Sequence, residues 1–283
     1  MAVQISAAFV TLFDSEVKQA YQGQRLLAGT TRERTGIEGS TVQFPKIGKG
    51  SASIRVPQTD VTPLNVSYSR VTATMEDYIA AEYSDIFNQQ KVNFNERQEL
   101  VQVVSGAIAR RMDQVLLDSL TASSPSTTVA KNVVSSGSAT NSNLNIGKLR
   151  AAKKGLDAKN VPSDGRTILC HANSISGLLA ETEVVSSDFN TVKALVTGEI
   201  DTFLGFKFIT FGDRDEGGLV LSNHERFLYA FHRDAVGLGV GMNQTSRVDY
   251  IPEKTSFLVA SMFSAGATAI DNDGIVKIIC HEA

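Results

Sequence analysis

The sequence has no tryptophan, only two cysteines and 7% aromatic residues in 283 positions. Each shortage removes a class of protein. So few aromatic rings do not make a platform on which nucleobases could stack. Cys170 and Cys280 lie far apart and give no disulfide framework, so a reducing compartment is the simpler setting. Positive charge is not in excess either. The formal net charge is -3 and the isoelectric point about 5.9, which argues against a tight, sequence-independent nucleic-acid binder with a concentrated basic face. No apolar run approaches the roughly 20 residues needed to span a bilayer. Met1-Ala-Val-Gln-Ile5 lacks the basic and apolar regions of a secretory signal. The expectation is therefore a soluble chain that is not exported by that route. What is present is ordinary for a folded protein, 42% hydrophobic and 20% charged, with length enough for one large domain or two.

One stretch organises the rest. Leu100, Val103, Val104, Ala107, Ile108, Met112, Val115, Leu116 and Leu120 recur at the spacing of an amphipathic helix. The spacing predicts a helix over Asn95 to Leu120, roughly 39 Å long at 1.5 Å per residue. Asn95 is placed to cap it, with Gln98 in the reciprocal capping-box position, and Ser123-Ser124-Pro125 stops it. Arg110, Arg111, Asp113 and Asp118 fall off the apolar stripe and are expected to form a solvated or subunit-facing edge.

Ahead of the helix, Phe9, Leu12, Phe13, Val17, Ala20, Tyr21 and Leu27 give a looser helical stripe, an amphipathic arm. Thr30 to Gly39 has no apolar periodicity and reads as an extended connector. Arg25, Arg32 and Arg34 make it basic; Glu33 and Glu38 are interleaved, so a solvated linker competes with contact to an acidic neighbour or nucleic acid. Ser40 to Thr74 has strand spacing at Val42, Phe44, Ile47, Ile54, Val56, Val66, Tyr68 and Val71, broken by Pro57 and Pro63. Gly48-Lys49-Gly50 lacks the Walker spacing and a following helix, so it is a turn. This long hairpin has too few apolar residues for a core of its own, and an uncovered hairpin is marginally stable at best. It makes physical sense laid on another subunit. Glu76, Asp77, Glu82 and Asp85 then crowd the segment leading to the helix without any metal-ligand spacing.

After the helix, Ala122 to Asn143 turns rich in Ser, Thr, Asn and Gly and marks a boundary. Leu144 to Leu156 reads as a helix, Arg166 to Cys170 as a strand, and Ile175, Leu178 and Leu179 as a further helix. Gly205 to Phe211, Leu219 to Leu221 and Phe227 to Val240 are strand-like. These predict a compact α/β or α+β domain, separate from the helix, from about Ser123 to Gly241. Two last strands, Ser256 to Phe263 and Ile275 to Cys280, are expected to return to the long helix.

Chemistry-bearing residues are sparse. Cys170-His171 and Cys280-His281 could supply a zinc ligand set, but the paired-knuckle spacing is missing. Asp213, Asp215 and Glu216, like Asp271 and Asp273, lack the register of a calcium loop and fit turns. Gly237-Leu-Gly239-Val-Gly241 has its third glycine too early for a dinucleotide site, and small residues in a crowded strand explain it better. His224 and His232 flank a strand and fit backbone-satisfied roles. No catalytic residue, cofactor or metal site is expected.

Several blocks taken in order carry a resemblance. The amphipathic arm, Ser40-Thr-Val-Gln-Phe-Pro45 opening a long hairpin, and Tyr78 to Ser84 leading to a helix that contains Arg111-Met-Asp-Gln-Val-Leu-Leu-Asp118 resemble the major capsid proteins of tailed bacteriophages, most closely the short-tailed T7-like group. Val161-Pro-Ser-Asp-Gly-Arg166, Leu204-Gly-Phe206 and Phe231-His-Arg-Asp-Ala-Val-Gly237 agree with it.

The resemblance implies the HK97-type capsid fold. On it, residues 1–39 are an N-arm, 40–74 an extended E-loop, 75–122 and 242–283 a peripheral domain with the spine helix at 95–120, and 123–241 an axial domain. It implies a non-enzymatic coat protein that forms hexamers and pentamers of an icosahedral head around double-stranded DNA. The implied partners are scaffolding and portal proteins, a cement or decoration protein, DNA as non-specific cargo and no membrane. The implied location is the virion, with assembly in the cytoplasm of a bacterial host. The intersubunit residues expected are Phe13, Val17, Arg32, Arg34, Phe44, Lys46, Lys49, Ile54, Arg55, Tyr68, Arg110 and Arg111. Some shells of this fold cross-link an E-loop lysine; Lys46 and Lys49 lie in that element, with no partner to assign. An encapsulin-like compartment, with the same fold around protein cargo, and an α/β enzyme using Cys170 or His232 are the competing readings.

Overall fold

The computed structural model describes residues 24–61, 63–89, 91, 95–135, 137, 140–180, 202–213 and 216–282. The expected N-terminal helical stripe up to Gly23, with Phe13 and Val17, lies outside them, as does Asp215.

The first elements are β1 (Arg32–Thr35), β2 (Thr41–Ile47), β3 (Tyr68–Thr74), β4 (Glu76–Asp85), α1 (Ile86–Gln89) and α2 (Glu96–Ala122). Then come β5 (Thr127–Val129), α3 (Ile146–Ala158), β6 (Arg166–His171), α4 (Ala172–Leu179), β7 (Thr202–Phe203) and β8 (Phe206–Phe211). The chain closes with β9 (Leu221–Ser222), β10 (Glu225–His232), β11 (Val236–Ile251), β12 (Ser256–Ala269) and β13 (Ile275–His281).

Among the described residues the strands form three sheets. The first runs β1-β11-β12-β4, with β11 and β12 as its long antiparallel centre. Helix α2 lies across β12 and β4, where Tyr78 stacks on Phe263 at 5.0 Å between centroids and the Arg97 guanidinium sits 4.5 Å over the Phe257 ring. The second runs β5-β13-β10-β6-β8-β7, with β9 on β10. Its strand β6 is buried along its whole length, as a run covered on both faces must be. The third is the β2-β3 hairpin.

The predicted long helix is there within two residues at its C-terminal end, but its start is not built as expected. The Asn95 side chain makes no cap, and only its carbonyl accepts, from Gln98 and Glu99. The working cap is at α3, where the Asn145 side chain accepts from the Lys148 amide at 2.8 Å. The Thr30 to Gly39 connector contains β1, which pairs in parallel with β11 from Arg32↔Gly237 to Thr35↔Val240.

The last strand also departs from expectation. While β12 sits under α2, β13 is an interior strand of the seven-stranded sheet, paired with β10 from Glu225↔His281 to Phe231↔Ile275. A division at Gly241 would cut β11, which continues to Ile251 through irregularities at Met242. The C-terminal half of α2 explains why the two sheets do not separate. Ile108, Met112, Leu116, Leu117 and Leu120 share one buried cluster with Leu149 and Leu156 of α3, Ile168 of β6 and Ile278 of β13.

Candidate functional site

The hairpin has two ends of opposite character. At its root, β2 and β3 pair from Thr41↔Thr74 to Ile47↔Tyr68, and Gly48 N–H donates to the Ser67 carbonyl at 2.8 Å. Side chains alternate along a strand, so Val42 and Phe44 face one way, and there they meet the body of the same subunit. With Ala73 and Ile270 they form a small buried cluster of their own, covered in part by Ile37 and Met75. Phe44 is completely buried within the chain. It was expected at an intersubunit contact; it is an internal anchor instead, because the covering surface is supplied by β11.

From the Ile47–Tyr68 pair outward the covering stops. Ile54 is 94% exposed, Val61 88% and Tyr68 80%, with Ile47, Val56 and Leu64 also open. Isolated surface apolar residues need no explanation, but six on one uncovered hairpin do. Fully burying one such side chain contributes about 1.5–3 kcal/mol. Six would contribute on the order of 10 kcal/mol before the entropy of association is subtracted.

The expected basic contacts fall into two groups. Arg32 and Arg55 are exposed. Arg34, also exposed, donates to the Gln43 carbonyl at 3.2 Å and stands 5.8 Å from the Phe44 ring centre. Lys46 pairs with Asp271 at 2.9 Å, and Lys49 lines a cavity of about 270 Å³ with Lys159, His232, Asp271 and Asp273. The hairpin lysines therefore have acidic neighbours within the subunit.

The charged edge of α2 also makes contacts within the subunit. Arg111 pairs with Glu216 at 3.1 Å and lies 4.6 Å over the Tyr78 ring, and Gln114 accepts from the Gly217 amide at 2.8 Å. Burial, together with the Glu76 carboxylate that accepts the Tyr78 hydroxyl proton at 2.5 Å, pushes that phenol up. Arg110 is half-buried, and its carbonyl is so close to Gly217 that a methyl there would lie 2.7 Å from it. Asp113, expected in the same edge, is wholly buried and accepts from the Leu26 amide at 2.9 Å and the Leu27 amide at 3.1 Å. The 26–27 segment covers Asp113, which therefore falls outside the expected edge, while the Arg111 side chain stays 35% exposed beside Glu216 and Asp118 is exposed.

A second open apolar surface was not anticipated. Ile79 is 67% exposed and, with Met242 and Met262, lines a cavity of about 320 Å³ on the face of the first sheet turned away from α2. Tyr83 and Phe87 continue the exposed series along the edge strand β4 and into α1. Alternation in Tyr78-Ile79-Ala80 carried this signal, since the stacking of Tyr78 under α2 sends Ile79 to the opposite face.

The cysteines are separated by strand β10 and both are buried. Burial raises both thiols, Cys280 to about 12. His171 and His232 each accept a backbone amide through Nδ1, from Asn173 at 3.3 Å and Asp234 at 3.2 Å. Among the described residues no group of three or more His, Cys, Asp and Glu side chains has metal-holding geometry. Asp213 faces His171 Nε2 at 3.0 Å, and Asp271 accepts from the Asp273 amide in a turn.

A family model described as phage capsid protein matches residues 5–282. No curated protein sequence matches the chain. The head structure of Helicobacter pylori bacteriophage KHP40 is similar with a TM-score of 0.78 at 11% identity, covering 99% of this chain and 98% of that one. The capsid structure of cyanophage P-SCSP1u is similar at 0.77 and 15% identity, covering 98% and 94%. The capsid of Ralstonia phage GP4 is similar at 0.74 and 9% identity, covering 100% and 99%.

Proposed function

The chain belongs to the phage capsid protein family, as a major capsid protein with the HK97-type fold, and from that premise we propose how its parts build the shell. The body of α2, β4, β11 and β12 is the peripheral domain, and β1, which belongs to the N-arm, pairs along its edge. The seven-stranded sheet, with α3, α4 and the returning strand β13, is the axial domain that meets its copies at the centre of each hexamer or pentamer. The hairpin is the E-loop, and residues 1–39 are the N-arm. Ile54, Arg55 and Tyr68 of the hairpin, with Arg32 of β1, are the contacts we assign between subunits, joined by Phe13 and Val17 of the arm.

One observation carries this reading: the hairpin is anchored at its root and bare beyond it. An element of this kind gains burial only by crossing onto another copy. Repeated head-to-tail contacts that close by rotation give rings and, tiled, a closed shell. The mild net negative charge supports a container whose wall does not hold double-stranded DNA, since each phosphate contact adds counterion-release affinity. No helix among the described residues is long and apolar enough to cross a membrane. We read the role as structural without catalysis, with scaffolding and portal proteins as assembly partners, a decoration protein as an optional one, and the host cytoplasm as the place of assembly. The order of the Val161–Arg166, Leu204–Phe206 and Phe231–Gly237 blocks supports a place near the short-tailed T7-like group.

The test is assembly itself. The full chain, expressed alone and with a scaffolding protein, is expected to yield closed icosahedral shells by electron microscopy in at least one condition. Persistent small oligomers in both overturn the proposal.

A further inference from the structure

The glycine triplet that a dinucleotide site could not explain has a use at the hairpin root. Gly237 and Gly239 alternate along β11 and so share one face, and Gly241 falls in the irregularity between Val240 and Met242. Gly266 lies directly across from Gly239 on β12. None of the four has the positive φ that calls for glycine on conformational grounds, so what the positions require is space. A methyl at Gly237 would stand 2.7–2.9 Å from Cζ, Cε2 and Cε1 of Phe44. At Gly239 it would stand 2.6 Å from Val42 Cγ1 and 2.9 Å from Ile37 Cδ1, and at Gly266 it would collide with the Thr74 carbonyl.

Gly237, Gly239 and Gly266 thus form a bare seat, and the hairpin fills it; Gly241 adjoins it and meets only Ile37, Met75 and Ser264. The Phe44 ring lies on Gly237 and Val42 lies on Gly239, two points on one strand. The Arg34 hydrogen bond to Gln43 and the Lys46–Asp271 ion pair at 2.9 Å hold the strand in place. The cluster formed here is distinct from the main core, so a change in the seat acts on the hairpin before it acts on the fold.

We propose that this glycine seat sets the direction in which the hairpin leaves the subunit and, through that direction, the curvature of the shell; the second step rests on the assembly role argued above. The lever is long enough to matter. To restore ordinary contact with a methyl at residue 237, the Phe44 ring must retreat by roughly 0.8 Å. The two seat points are about 6.7 Å apart, so the strand tilts by about 7°. Twelve residues separate Phe44 from Val56, at most about 40 Å, and the tip then moves by up to about 5 Å. A displacement of that size at an intersubunit contact changes the angle between neighbours.

The experiment measures direction and curvature separately. In the full chain, spin labels at Ile54→Cys and Asp249→Cys report the hairpin-to-body distance in the dissociated subunit; the native thiols are buried and do not compete. With Gly237→Ala the distance is expected to shift by several ångströms, and scaffold-assisted assembly to give shells of altered diameter or open sheets. Adding Phe44→Leu, which removes the colliding ring carbons, is expected to restore both. Phe44→Leu alone, which keeps the glycine and loosens the seat, is expected to broaden the distance distribution. The proposal is overturned if Gly237→Ala keeps the native distance and diameter, or if Phe44→Leu neither restores nor broadens them. A native chain that forms no shells would defeat the assembly role, while the distance measurements would still judge the seat.

Discussion

Asp113 offers a sharp test of how the subunit is held together. Its two carboxylate oxygens accept from separate backbone amides, Oδ2 from Leu26 at 2.9 Å and Oδ1 from Leu27 at 3.1 Å, in a place with no solvent exposure. Leu27 itself is buried in the main core. Hydrogen bonds to a charged group contribute about 1.5–3 kcal/mol each, and a buried donor left without a partner costs about 1–3 kcal/mol. Asp113→Ala removes both acceptors and is therefore expected to destabilise the subunit by about 3–5 kcal/mol, a large part of the ~5–15 kcal/mol typical of a folded protein. Asp113→Asn keeps one acceptor oxygen and turns an amide NH2 toward the other backbone donor, so about 2–3 kcal/mol is expected.

Urea unfolding of the dissociated subunit measures this, with the midpoint falling by about 1 M or more for the alanine variant at a slope near 3 kcal/mol per molar. Limited trypsin digestion adds a local readout, because the Arg25–Leu26 bond adjoins the anchored amides. Its cleavage rate should rise in the order native, Asn, Ala. A loss below about 1 kcal/mol for Asp113→Ala, or an asparagine variant as stable as native, would refute the assignment of this carboxylate as the anchor.

Other expectations follow from the same contacts. Replacing residues 49–66 by a short turn keeps the Gly48–Ser67 closure and the seated Phe44; this subunit should fold with a native melting temperature and form no shells. Deleting Gln43 to Ser69 also removes Phe44 and should cost about 3–5 kcal/mol in urea unfolding, the range for losing a buried phenylalanine. Burial holds both thiols above their ordinary range. Iodoacetamide at pH 8 should leave Cys170 and Cys280 unmodified in the native subunit and label both in urea, as read by mass spectrometry; rapid native labelling would contradict their placement. Ser126 and Lys159 hold the Asp273 carboxyl below its ordinary 3.8. Because this pKa is depressed on folding, its stabilisation is fully present above 3.8 and is lost as pH falls through the folded value. Asp273→Asn should flatten the fall in melting temperature on acidification below pH 4, and an unchanged acid profile would exclude this contribution.

Elements defined by a sustained period were legible in the sequence. Helix α2 repeats its apolar side from Leu100 to Leu120, about six turns, and β6, β8, β10, β12 and β13 are apolar runs bounded by turn residues. Elements defined by what covers them were not. β1 is Arg-Glu-Arg-Thr, without an apolar side chain, and is a strand only because β11 offers it a backbone to pair with. The Phe44 alternation predicted a strand with an apolar face, but not that glycines on β11 would receive that face within the same subunit. β13 has the strand pattern, yet nothing in it distinguishes pairing with β10 from pairing with β4. Asp113 was misplaced for a different reason. Its charge points to the solvated side, but residue 113 lies three and four positions before Leu116 and Leu117 and so on the apolar stripe. A carboxylate on that stripe has to have donors, and the unpaired amides of an incoming segment are the natural supply.

The separation of the two clusters bears on how one sequence could occupy unlike positions in a shell. Helix α2 contributes Ile108 through Leu120 to the core beneath the seven-stranded sheet and lays its side chains on β12 and β4 as well, so the two sheets share a single rod. A close-packed interior resists deformation, and the body should move as one piece. The hairpin root is outside that interior, held by four buried side chains, bare glycines and an ion pair that is about two-fifths exposed. On the proposed assembly, hexamers and pentamers demand different angles between neighbours, and the softest joint in the subunit takes up the difference. That joint is the glycine seat, because tilting Phe44 on Gly237 alters few contacts, whereas moving one sheet against the other would break the packing along α2.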